Sequence, residues 1–255
     1  MNRFNNIQNI RQKLQTGMCS IGTWQQIPHA SISEILGQAG YDWVAVDMEH
    51  GSVNVNQLPD LFRAIDLGDT LPLARIAESK SKDCKQALDA GAGGIIVPMI
   101  KSAEQLKITR DSCYWPPNGK RGVGFSRANL FGKHFDEYKK EAQAPLFIAQ
   151  IENINAVNNL EEILQVDGLD AIMIGPYDLS ASMGITAEFE HKEFVAVIDR
   201  IINLCRKHKV PYGDHVVKPN PNLLEKRIKQ EYQFLAYSTD GVFIYKSSKN
   251  PTVKL

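Results

Sequence analysis

Residues 146–184 read LFIAQIENINAVNNLEEILQVDGLDAIMIGPYDLSASMG, a strand, a helix and a second strand in succession. The apolar run 146–151 meets Glu152, and the run 171–174 meets Gly175, Pro176, Tyr177 and Asp178. Short, continuously apolar strands of this kind are those of a parallel sheet buried on both faces. Two carboxylates then stand just past the carboxyl ends of successive strands, where parallel α/β folds gather ligand-binding loops. Two hard oxygen donors in that position fit a divalent cation. The bland alternative is that Glu152 caps a helix and Asp178 lies in a turn, both merely solvated.

The same rhythm extends in both directions. Ile7, Ile10 and Leu14 recur at helical spacing within 4–15, and an N-terminal helix is expected there. Strands are expected at 19–24, 43–46, 71–74, 94–97, 212–214 and 234–237. Between them lie helices at 31–38, with Ser31 as its cap, and at 57–67, 81–90, 102–108, 192–207 and 222–229. About eight strands alternating with helices over 255 residues predict one (β/α)8 barrel, an α/β fold of the TIM type, filling residues 1–255 as a single domain. No GxGxxG follows the first strand and no Walker loop occurs, so a nucleotide cradle is not expected. Residues 114–133 break the rhythm, with Pro116, Pro117 and no amphipathic period. An irregular stretch of that length is expected to be functional.

Composition narrows the partners. Lys plus Arg equals Asp plus Glu at 29 each, so no basic field draws nucleic acid. The four cysteines form no CxxC pair, which argues against a zinc knuckle and for a reducing cytoplasm. No uninterrupted apolar run is long enough to span a membrane.

On a barrel, the strand-end set is Glu49, His50, Arg75, Glu152, Asp178 and Asp214. A cation on Glu152 and Asp178 leaves positions for the ketone and carboxylate oxygens of a 2-oxo acid. Arg75 is then suited to stabilise charge on the carbonyl oxygen, and His50, oriented by an acid such as Asp89, to transfer a proton. Asp89 stands out because an acid in the last turn of a helix opposes the macrodipole. Each residue also has a structural reading: a loop histidine, a paired arginine, a solvated helix end. His215 is a weaker candidate for the same site.

These residues lie in motifs that resemble the class II, metal-dependent pyruvate aldolases of the HpcH/HpaI type. The motifs are AGYDWVAVDMEHG, LARI, LDAGAGGIIVPM, YWPPNGKRGVG, QIEN and GPYDLSASMG, in order across residues 22–237. The resemblance implies metal ligands at Glu152 and Asp178, a base at His50, an enolate-stabilising Arg75 and a histidine-partnering acid at Asp89. It implies a pyruvate site lined by Gln150, with the backbone N–H groups of the turn Gly175–Pro176–Tyr177 receiving the carboxylate. It further implies a Mg2+, Mn2+ or Co2+ cofactor, pyruvate and an aldehyde as substrates, and a homotrimer or homohexamer. Met48 and Tyr177 depart from the family pattern. Aldehyde selection is expected in residues 48–54 and 114–133, where Arg121, Phe125 and Arg127 are candidates to meet the far end of the substrate or a second subunit. Oxaloacetate-type decarboxylation on the same metal, and a catalytically silent metabolite-binding homologue, remain as alternatives.

Overall fold

A computed structural model describes residues 3–248 and 250. The chain begins with α1 (Arg3–Gln15), β1 (Ser20–Gln25), α2 (Ala30–Gly37), β2 (Trp43–Asp47), α3 (Leu58–Asp66) and β3 (Leu71–Arg75). It continues through α4 (Ser81–Ala90), β4 (Gly94–Val97) and α5 (Ala103–Cys113). After a long connection follow α6 (Phe135–Ala142), β5 (Leu146–Ile151), the short α7 (Ile154–Asn158) and α8 (Leu160–Ile163), and β6 (Ala171–Ile174). The last part holds α9 (Pro176–Ser182), α10 (Lys192–His208), β7 (Tyr212–Val216), α11 (Pro221–Lys229), β8 (Phe234–Thr239) and α12 (Asp240–Ser247). Every strand pairs in parallel with its successor and β8 returns to β1, closing the expected barrel of eight. Pro251, expected to cut short a C-terminal helix, lies outside the described residues.

Strand periodicity divides the core in two. Residues Val44, Val46, Ala74, Ile95, Phe147 and Ile172 face outward and pack under the helices. Trp43, Ala45, Leu71, Leu73, Ile148 and Phe234 face inward and fill the barrel with Ile7, Ile10 and Leu14 of α1. The rings of Trp43 and Phe234 stack 4.5 Å apart at the centre. Their bulk requires Gly22 opposite, because a Cβ there would stand 2.0 Å from the Trp43 ring.

Helix α1 is a plug across the amino-terminal face of the strands. Asn6 donates to the Asp69 carbonyl just before β3, Arg11 to the Ala144 and Pro145 carbonyls just before β5, and Gln233, just before β8, to the Leu14 carbonyl. That face is therefore shut, and the opposite face is left as the mouth.

Several boundaries differ from expectation. Helix α2 starts one residue earlier, and its cap is His29, whose Nδ1 accepts the Ser31 N–H. Helices α6, α9 and α12 are too short or too polar for a periodicity argument to find. The connection 114–134 is ordered around a small core of Trp115, Ala128, Tyr138 and Ala142.

Candidate active site at the barrel mouth

The inward rows that build the apolar plug turn polar as they reach the mouth. The row Trp43–Ala45 ends in Asp47, the row Leu71–Leu73 in Arg75, and the row Leu146–Ile148 in Gln150 and Glu152. The register sets Asp47 directly opposite Arg75 on the neighbouring strand. Asp47 is fully buried and takes a two-pronged contact, Arg75 Nε to Oδ1 at 2.9 Å and Nη2 to Oδ2 at 2.6 Å. It also accepts from Gln26 Nε2 and from the backbone N–H groups of Glu49 and His50. Burial works against its charge, but the Arg75 contacts outweigh burial and hold the Asp47 carboxyl below the ordinary range. The guanidinium lies 4.5 Å over the Trp24 ring, and its Nη1 stands 3.2 Å from Glu49 Oε2. Arg75 is thus locked in one orientation.

Glu152 is buried, with each oxygen engaged: Oε1 accepts the Met99 N–H and Oε2 accepts Gln150 Nε2, both at 2.6 Å. Met99 takes φ 52°, a left-handed conformation costing a non-glycine residue about 1 kcal/mol, and in doing so aims its N–H at the carboxylate. Burial, with the charge of Asp178 beside it, raises the Glu152 carboxyl above its ordinary value. Gly175 makes room for this group, since a Cβ there would come within 2.7 Å of Glu152 Oε2.

Asp178 sits in the first turn of α9 and is exposed at the mouth. The preceding Pro176 gives up no N–H that the helix needs, and an acid in the first turn suits the helix dipole. Glu49 completes a trio of carboxylates with Glu152 and Asp178, whose charges act on it. Burial first, and those charges next, push it up to about 7 despite the nearby Arg75. Among the described residues no three His, Cys, Asp or Glu side chains converge closely enough to hold a metal by themselves. Two carboxylates in a site with surplus negative charge nonetheless suit a hard divalent cation that takes its remaining ligands from water and substrate oxygens.

The other expected residues divide between two ends of the barrel. His50 is exposed at the mouth, its backbone fixed on Asp47. His215 faces into the barrel, 5.7 Å from the Trp24 ring, and burial pushes its imidazole down to about 4. Its Nε2 lies 3.1 Å from the Ser238 carbonyl, so that nitrogen carries the proton of a neutral ring. Asp214 faces outward onto Arg227 at 2.8 Å and leaves the strand-end set. Tyr177 turns its ring onto Phe189, edge to face at 5.0 Å, and is half exposed, so the chain departs from the family pattern without lining the site with a phenol.

Asp89 and Arg121 lie at the plugged end. Helix α4 runs back from the mouth for ten residues, about 15 Å, and Asp89 is in its last turn. Its neighbour is Arg121, 3.5 Å away, which also donates to the Tyr138 hydroxyl. The whole 114–134 connection leaves α5 and enters α6 at that end, where Trp115 donates to the Ala142 carbonyl and Arg127 binds Asp66 and the Ala90 carbonyl. The pairing of Asp89 with His50 is therefore not made within one chain, and Arg121, Phe125 and Arg127 do not reach the mouth of their own barrel. The βα geometry is the reason: a helix ends on the face opposite the one where its strand ended.

The sequence pattern does not single out Asp47, Gln26 or the strained Met99. Asp47 carried a usable signal, because it shares parity with Trp43 and Ala45 and so had to point inward. Met99 carried none, since its left-handed backbone has no glycine or asparagine to announce it.

A sequence profile of the HpcH/HpaI aldolase/citrate lyase family matches residues 20–246. A hydroxypyruvate/pyruvate aldolase of Roseobacter denitrificans is 33% identical over 96% of this chain and 95% of its own. A 2-dehydro-3,6-dideoxy-6-sulfogluconate aldolase of Pseudomonas putida is 33% identical over 92% of each. Among solved structures, an HpcH/HpaI aldolase/citrate lyase family protein of Burkholderia cenocepacia superposes with a TM-score of 0.87 at 27% identity, covering 94% of this chain and 96% of its own.

Proposed function

The chain belongs to the HpcH/HpaI aldolase/citrate lyase family, and from that premise we propose that it is a class II pyruvate aldolase, a single lyase domain over residues 1–255 that reversibly cleaves a 4-hydroxy-2-oxo acid into pyruvate and an aldehyde. The observation that carries the reading is the Asp47–Arg75 lock set beside Glu49, Glu152 and Asp178, a fixed cation among carboxylates at the barrel mouth.

Glu152 and Asp178 are the residues to hold a divalent cation (Mg2+, Mn2+ or Co2+). Such a cation, when bound, supplies Lewis-acid polarisation of the 2-oxo group. Gln150 lines the pyruvyl end of the substrate. In the turn Gly175–Pro176–Tyr177 that opens α9, Gly175 gives its N–H to the Ile151 carbonyl and Pro176 has none, so the first-turn N–H groups of Tyr177 and Asp178 are the donors offered to the carboxylate. His50 takes the proton of the C4 hydroxyl. The C3–C4 bond then breaks, the C4 oxygen forms the aldehyde carbonyl, and the bonding pair passes into the C2–C3 enolate. Arg75 faces the enolate oxygen with an orientation set before substrate arrives, so stabilising it needs no rearrangement. Return of a proton to C3 yields pyruvate.

Asp89 and Arg121, placed at the plugged end, serve this chemistry from a neighbouring copy in a homotrimer or homohexamer. Asp89 there orients His50; the Arg121 side chain is fully buried against Tyr138 and Asp89, so it holds Asp89 in place instead of meeting the substrate as the sequence suggested. The four free cysteines and the lack, among the described residues, of a helix long and apolar enough to cross a membrane fit a cytoplasmic enzyme.

The test is metal removal. Pyruvate release from a 4-hydroxy-2-oxo acid should vanish on exhaustive chelation and return with Mg2+, Mn2+ or Co2+. Full cleavage by metal-free protein would sink the mechanism.

A further inference from the structure

Glu49 is the carboxylate at the mouth that neither metal ligation nor proton transfer employs. Its backbone is fixed, since its N–H donates to Asp47 Oδ1 at 3.1 Å. Its side chain is 13% exposed and its Oε2 lies 3.2 Å from Arg75 Nη1, yet that buried oxygen accepts no hydrogen bond among the described residues. The guanidinium is turned to Asp47 through Nε and Nη2, so the contact with Glu49 is one of charge and not of aligned donor and acceptor. Gln150 repeats the pattern: its Nε2 is given to Glu152, and its buried Oε1 has no donor.

Two orphaned acceptors at one polar site call for donors. A buried acceptor left unpaired is costly, and such groups are ordinarily satisfied. Arg75 gives Nε and Nη2 to Asp47 and its Nη1 is not aligned on Glu49, so no side chain among the described residues donates to either acceptor. A cation held by two carboxylates and two substrate oxygens keeps water in its remaining positions. Such a water turns an oxygen lone pair to the metal and its two polarised O–H groups outward, which makes it a strong donor. Gln150 is bonded to Glu152, and Glu49 lies against Arg75 at the same mouth, so both orphaned acceptors border the proposed cation site.

We propose that Glu49 is a positioning residue of the cation site: its carboxylate accepts a hydrogen bond from a cation-bound water, with Gln150 Oε1 as a second acceptor. The inference rests on the metal-dependent aldolase reading. Glu49 then links two parts of the site, since the same carboxylate touches Arg75 and holds the hydrated cation in register with it.

The experiment is Mn2+ binding to the intact chain without substrate, followed by electron paramagnetic resonance or calorimetry. Glu49→Ala should weaken Mn2+ by about tenfold or more, as loss of an outer-shell partner does. Glu49→Gln, which keeps an acceptor oxygen without the charge, should fall between Ala and wild type, and Glu49→Asp should recover part of the affinity. Glu152→Gln is the reference for losing a direct ligand. Thermal melts in chelator establish that each variant is folded, and if Glu49→Ala is not, Glu49→Gln carries the comparison. Affinity in the folded variants within twofold of wild type, where wild type itself binds Mn2+, overturns the role of Glu49 alone. A wild-type chain that cleaves substrate but binds no divalent ion overturns the metal reading with it.

Discussion

At the scale of single residues, Glu49 and His215 give the barrel mouth opposed responses to pH. Burial and the neighbouring carboxylates raise Glu49 from 4.5 to about 7, so between those values the folded chain holds a proton that the unfolded chain has released. Its contribution to stability is complete below pH 4.5 and lost as pH rises through about 7. Burial lowers His215 from 6.5 to about 4, so its contribution is complete above 6.5 and lost as pH falls through about 4. The two largely offset one another across the acid range. Glu49→Gln removes one side of the balance and leaves the other. In chelator, the variant should melt with wild type at pH 4.5, where both side chains are neutral, and above it at pH 8. The difference at pH 8 should be at most on the order of 3 kcal/mol, a shift of several degrees. Equal melting temperatures at pH 8 would show that ionised Glu49 is no burden to the fold without its cation.

The elements of this barrel were legible in the sequence where burial is complete and opaque where an element is short. A strand covered on both faces must be apolar throughout, and runs such as WVAV, IIV, LFIAQI and AIMI announce themselves for that reason. Helix α9 does not, because seven residues beginning with proline after glycine read as a turn, and Asp178 is legible only by its place after β6. The same short element makes a prediction. Gly175 caps α9 at φ −101°, a conformation alanine tolerates, so the cost of a methyl there comes from collision with Glu152 and Gln150 and not from backbone strain. Because that methyl would also stand 2.7 Å from Glu152 Cβ, which is anchored to its strand, Gly175→Ala should cost about 1–3 kcal/mol of stability in a denaturant titration. Its cation affinity should fall by at least about tenfold as Glu152 is displaced. A variant that binds cation like wild type would mean that Glu152 has another conformation in which to ligate.

Across the whole molecule, the expected catalytic set is split by the barrel. His50, Arg75, Glu152 and Asp178 surround the mouth, while Asp89 and Arg121 are paired at the plugged end. The sequence placed Asp89 in the last turn of its helix, and chain direction then puts it at the plugged end. The proposed homo-oligomer would bring one copy's plugged end to another's mouth. A contact of that kind joins unlike faces, and it closes into a ring when the rotation is right. It predicts complementation. His50→Ala and Asp89→Ala should each be inactive as pure proteins while keeping the fold and the oligomer. Co-expressed and randomly mixed, they should regain about a quarter of wild-type cleavage, because a site combining His50 of one variant with Asp89 of the other arises at about one contact in four. Sites completed within their own chain would regain nothing on mixing, since every chain then lacks one of the two residues. Activity recovered only when both variants share an oligomer, and lost when they are purified apart, would assign Asp89 to the neighbouring copy and make the ring itself a requirement of catalysis.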